Sequence, residues 1–89
     1  MDLNEKELAE VGRITHFFTK ISVAIVELSD ALGVGDQIMI KGPTTDIEQT
    51  VESMQIEHES VKKAKRGQSI GLKVDGQVRE HDMVYKVKK

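Results

Sequence analysis

At 89 residues the chain has room for one domain and one modest core, and 38% hydrophobic against 31% charged residues is a globular balance, too apolar for a disordered tail. The absence of cysteine excludes disulfides, thiolate catalysis and cysteine-based zinc sites together. No apolar run approaches the ~20 residues of a membrane span, the longest being Val23 to Val26, and Met1-Asp2-Leu3-Asn4-Glu5 lacks the basic start and apolar core of a signal peptide, so a cytoplasmic address is expected.

Residues 1–10 form an acidic lead-in in which Leu3 and Leu8 are spaced loosely as on one helical face; a frayed helix and a disordered segment both fit. Residues 11–89 read as a single domain of strands. Strand one is predicted from Val11 to about Phe18 and strand two from Ile21 to Leu28. Within the latter, Val23, Ala24, Ile25 and Val26 are apolar on both faces and ask for cover on both sides. Gly33 and Gly35 punctuate a turn, and Gln37 to Lys41 alternates as strand three with Ile38 and Ile40 inward. Gly42-Pro43-Thr44-Thr45-Asp46 is a turn cluster.

The next segment is irregular. Ile47 and Val51 share odd positions, whereas Met54 and Ile56 share even ones, so the buried face changes phase around Glu52-Ser53. A strand with a side-chain period of two cannot do that without a bulge, a bend or a break into two strands. Val61 and Ala64, three apart in a basic run closing on Gly67, suit a single helical turn ending in a left-handed glycine. Ile70, Leu72 and Val74 alternate as strand five, Asp75-Gly76 is a turn, and Met83 to Val87 is strand six. Six short strands with glycine turns predict an all-β fold, a small closed β-barrel.

The order and spacing of several motifs resemble the second domain of translation elongation factors of the Tu and 1-alpha type. Val51, Ser53, Met54 and Ile56 fill a V-x-S-[apolar]-x-[apolar] strand, Val61, Ala64 and Gly67 an [apolar]-x-x-A-x-x-G segment, and Ile70-Gly71-Leu72 the strand after it. Upstream, Val11-Gly12-Arg13-Ile14 resembles the opening strand, and Leu32-Gly33-Val34-Gly35-Asp36-Gln37-Ile38 an L-x-V-G-D-x-[apolar] turn. Asp82-Met83-Val84-Tyr85 stands where that family has a polar residue before its last strand, although the usual Arg-Gly is missing. The resemblance implies a six-stranded Greek-key barrel of the translation-protein type that associates with tRNA or the ribosome. Similar barrels stand at the C-terminus of U32 peptidase-family proteins, and Val84-Tyr85-Lys86 is similar to that version. This second resemblance implies an interaction module or accessory subunit docking on a larger protein.

Catalytic patterns are sparse. Elongation factors hydrolyse GTP in a preceding domain that opens with G-x-x-x-x-G-K-[ST], and nothing here matches it; Gly33-Val34-Gly35 is followed by Asp36, which disfavours an anion. Gly67-Gln68-Ser69-Ile70-Gly71 spells G-x-S-x-G, but a nucleophile elbow needs a strand before the serine and a helix after it, and Ser69 opens a strand. His16, His58 and His81 show no helical metal-ligand spacing, and the acidic residues are scattered. A non-enzymatic chain without metal or cofactor is therefore expected.

Charge is unevenly distributed along the chain. Residues 1–59 carry 4 Lys and Arg against 12 Asp and Glu, a net of −8, and residues 60–89 carry 9 against 3, a net of +6, which return the chain's −2. Lys62, Lys63, Lys65 and Arg66, with Arg79, could neutralise phosphates of an RNA if they share a face, or form a solvated surface with weak ion pairs. Phe17, Phe18 and Tyr85 are the only aromatics, few for a base-stacking platform. The alternative contact surface is the two-sided strand of Val23, Ala24, Ile25 and Val26, which would meet a larger protein or a second copy.

Overall fold

The structure, a computed structural model, describes residues 7–88. It is all β, with no helix among the described residues. In chain order the strands are β1 (Glu7–Phe18), β2 (Val23–Leu28), β3 (Leu32–Gly33), β4 (Gln37–Lys41), β5 (Asp46–Thr50), β6 (Met54–Ile56), β7 (Glu59–Val61), β8 (Lys63–Ala64), β9 (Ser69–Lys73) and β10 (Met83–Lys88). Eight of them form one antiparallel sheet in the order β5-β4-β10-β1-β2-β9-β6-β7, and β3 pairs with β8 in a separate two-stranded ladder.

The long strand β1 organises this sheet, pairing with β10 on one side and β2 on the other. Its inward residues are Val11 and Ile14, with Phe17 packed against the core, a spacing of three that a regular strand cannot produce. Register shifts between Glu10 and Gly12 and between Ile14 and His16 supply the extra residues. Each bulge resets which face is buried and increases the local twist. At the first bulge β1 and β2 approach closely: a Cβ at Gly12 would stand 2.6 Å from Val26 Cγ1 and 2.8 Å from the Glu27 carbonyl oxygen.

The core follows the alternation of the short strands. Ile38 and Ile40 of β4, Ala24 and Val26 of β2, Ile70 and Leu72 of β9 and Val84 of β10 are all buried. Burying a Val, Leu or Ile side chain completely contributes about 1.5–3 kcal/mol, so these positions dominate the cohesion of a chain this small. Leu32 and Ala64 bring the β3–β8 ladder into the same core.

The turns account for several of the quoted motifs. In Leu32-Gly33-Val34-Gly35-Asp36, the Asp36 carboxylate accepts from the Gly33 N–H at 2.9 Å, and Gly35 adopts a φ of 97° that favours glycine. Val51 N–H donates to the Asp36 carbonyl and Gly35 N–H to the Val51 carbonyl, which ties this turn to the end of β5. Between Lys65 and Gln68, Gly67 has a φ of 90° and Gln68 N–H donates to the Lys65 carbonyl at 3.1 Å, as in a type II turn.

Four expectations need correction. The sheet does not close into a six-stranded barrel: β5 and β7 are its terminal strands, and the ladder has more and shorter strands than expected. The helical turn at 61–67 is absent; Val61 belongs to β7 and Ala64 to β8, and a bend at Lys62 resets the strand phase to give a helix-like spacing. Residues 7–10 of the lead-in are β-strand because they pair with residues 85–88 of β10, while residues 1–6, Leu3 among them, lie outside the described residues. Strand two begins at Val23, after a turn over 19–22 that includes Ser22 at a φ of 55°. Of the alternatives open for the irregular segment, the break into two strands, β5 and β6, is the one found; Val51, in the 51–53 connection, and Met54, which opens β6, are both buried on either side of the change of phase.

Candidate functional site

An apolar groove of about 330 Å³ lies on the outer face of β2, β6 and β9. Val23 and Ile25 form one wall. They alternate with Ala24 and Val26, which are fully buried in the core, and are themselves half-buried. Phe18 and Ile21, at the turn between β1 and β2, form the end and are 45% and 59% exposed, unusual for side chains of that size. Gln55, Glu57 and His58 make the opposite rim, and Ser69, Ile70 and Gly71 of β9 contribute between the walls.

Gly71 is informative because nothing inside the domain demands a glycine there. Its backbone does not lie in the left-handed region, and a Cβ would meet Val23 Cγ1 at 3.5 Å and the Gln55 carbonyl oxygen at 3.9 Å, ordinary contact distances. A glycine inside a strand weakens it and commonly marks the close approach of another backbone or ligand.

The rim opposite is a two-residue hairpin loop. Ile56 pairs with Glu59, so Glu57 and His58 are the loop residues, with φ values of 51° and 69°. Both positions favour Asn or Gly in such turns, and residues held in the left-handed region without that chemistry cluster at functional sites.

The groove carries no catalytic pairing. Ser69 and His58 both line it, yet no hydrogen bond joins them, and Ser69 opens β9 without a helix behind it. His16 lies 3.5 Å from Glu80 and packs edge-on to Phe18, and His81 occupies a turn at a φ of 76°. Among the described residues no three of His, Asp and Glu gather as a metal-holding group.

Two of the basic residues singled out from the sequence share an opening. Lys63 and Lys65 line a second opening, between β3 and β8, with Lys86 arriving from β10. Lys62 and Arg66 are exposed but do not line it, and Arg79 belongs to the turn before β10, where its N–H donates to the buried Asp82 carboxylate at 2.9 Å. Lys89 and the side chain of Lys88 lie outside the described residues.

No family model matches the chain. The solved C-terminal domain of a Geobacillus thermoleovorans protein described as a U32 peptidase superposes with a TM-score of 0.81, covering 85% of this chain and 96% of that one at 19% identity. The fold is that of a U32 peptidase C-terminal domain. In sequence the chain is 48% identical over 80 residues to an uncharacterized protease of Methanocaldococcus jannaschii and 41% identical over 81 residues to a collagenase of Porphyromonas gingivalis. It spans 20% and 22% of the length of those two proteins, while 89% of its own residues are matched in each.

These likenesses overturn the elongation-factor reading, and with it the expected association with tRNA or the ribosome. The motifs behind that reading are structural. Gly35 and Gly67 hold left-handed turns, Asp36 caps its turn, and Val51, Met54 and Leu72 fill the core. Such residues specify a backbone that many proteins use and carry no information about a ligand. The second resemblance, to the barrel of U32 peptidase-family proteins, agrees with the comparisons.

Proposed function

We propose that this chain is a non-catalytic docking module that works on a larger protein of the U32 peptidase type, and that the groove lined by Phe18, Ile21, Val23 and Ile25 is its contact surface. The observation that carries the proposal is Gly71: a central strand keeps a glycine where a side chain would fit, and the opening above it is walled by exposed apolar residues. The matched protease and collagenase are about five times longer than the segment they share with this chain, which supports the view that the module acts beside a much larger body. A chain with no paired nucleophile and base in its groove fits a binding role better than a hydrolytic one.

The test is affinity recovery of the tagged chain from its own cells, compared with Gly71→Val and Ile21→Glu. Recovery of a U32-type protein by the wild type, lost in both variants while their melting temperatures stay close to it, is the expected result. Equal recovery by all three would refute the groove as the contact, and consistent absence of any U32-type protein would refute the partner.

A further inference from the structure

The second opening, of about 510 Å³ between β3 and β8, combines cationic and apolar groups in a way the groove does not. Lys63 and Lys65 flank the buried Ala64, so their side chains emerge on the same side of the segment. Neither ammonium group makes an ion pair or hydrogen bond with any described residue, although the Lys65 main-chain N–H donates to the Gln68 side-chain oxygen at 2.7 Å. The third cation, Lys86, is by contrast held 3.3 Å from Asp36. Val34, 42% exposed, supplies an apolar surface within the same cleft.

This cleft shares no lining residue with the groove. A partner seated on the groove therefore leaves the cleft open to a second contact.

The geometry points to the β3–β8 cleft as a docking site for an acidic polypeptide segment that carries an aliphatic side chain. Charge complementarity selects the occupant: two uncompensated ammonium groups on one side of a short strand suit carboxylates spaced along an extended chain, and Val34 gives the aliphatic group a seat. The site stands independently of the groove and of its partner. Electrostatic attraction at these exposed lysines makes the association salt-sensitive.

The test titrates the full chain into a fluorescein-labelled synthetic peptide of alternating Glu and Leu, reading anisotropy at low and high salt. Saturable binding is expected that weakens about tenfold or more in a Lys63→Glu, Lys65→Glu variant, that also weakens in Val34→Ser, and that is nearly unchanged in Lys20→Glu, Lys73→Glu, which alters net charge equally elsewhere. Thermal melting confirms that each variant is folded. No saturable binding at low salt, equal weakening in both charge variants, or tighter capture of a single-stranded RNA of the same charge would each overturn the proposal.

Discussion

The side-chain amide of Gln49 donates to the Lys73 carbonyl at 2.9 Å, and its oxygen accepts from the Asp75 N–H at 2.8 Å. Gln49 lies on β5 and Lys73 ends β9, strands that are not neighbours in the ladder, so a side chain bridges a gap that the backbone leaves open. At 8% exposure it is one of few buried polar residues. Gln49→Ala leaves a carbonyl and an amide of the β9 end without their partner and is expected to cost about 1–3 kcal/mol. Urea unfolding should show a lower midpoint with an unchanged slope; an unchanged midpoint would show that the bridge contributes nothing.

Gly42 and Asp82 form a second coupled pair. A Cβ at Gly42 would overlap Asp82 Oδ1, while Oδ2 accepts from the Arg79 N–H at 2.9 Å. Gly42→Ala must therefore displace a buried carboxylate that organises the turn before β10, at an expected cost of about 1–3 kcal/mol. In an Asp82→Ala background the same substitution should be nearly free. A double-mutant cycle measures this coupling, and strict additivity would contradict the packing described here.

The Glu57-His58 loop offers a stabilising change. Replacing the pair by Asn-Gly supplies residues that tolerate the left-handed conformation both positions adopt. An increase of about 1 kcal/mol or more is expected, read as a higher melting temperature. If the loop is the rim of the docking groove, the same variant binds its partner less well, separating stability from function.

Two strand glycines, on β1 and β9, should respond oppositely. Gly12→Ala places a methyl against Val26 Cγ1 and the Glu27 carbonyl and should destabilise the protein by about 1–3 kcal/mol. Gly71→Ala meets only ordinary contacts and removes a strand glycine, so its stability should be unchanged or slightly raised. Equal destabilisation by the two, followed by denaturant unfolding, would remove the argument that Gly71 is kept for an external contact.

Where the sequence obeys a simple period the fold was legible from it. Ile38 and Ile40, and Ile70, Leu72 and Val74, face inward as their alternation predicts, and Asp75-Gly76 falls between strands. The helical turn failed because Val61 and Ala64 reach the core from two short strands joined by a bend, which imitates a three-residue period. The bulges of β1 were hidden for a related reason: Val11, Ile14 and Phe17 share a face only after two register shifts, and those depend on pairing with β10 and β2.

The groove was half legible. The two-sided character of Val23 and Ile25 shows in the chain itself, but its other walls come from three further segments, and only folding sets Phe18, Gln55 and Gly71 beside them. Likewise Lys63 and Lys65 stand out as a basic run, whereas Lys86 reaches their cleft through the β4–β10 pairing and the bond to Asp36. The elongation-factor reading went astray because it rested on turn glycines and core residues, the part of a sequence that fold-sharing proteins have most in common.

The most direct test of the docking account is hydrogen exchange on the tagged chain, free and in complex with the U32-type protein recovered with it. The account predicts slowed exchange confined to residues 18–25 and 55–58, the two rims of the groove, and no such protection in the Gly71→Val protein. Protection of the opposite face with these segments unchanged would contradict it.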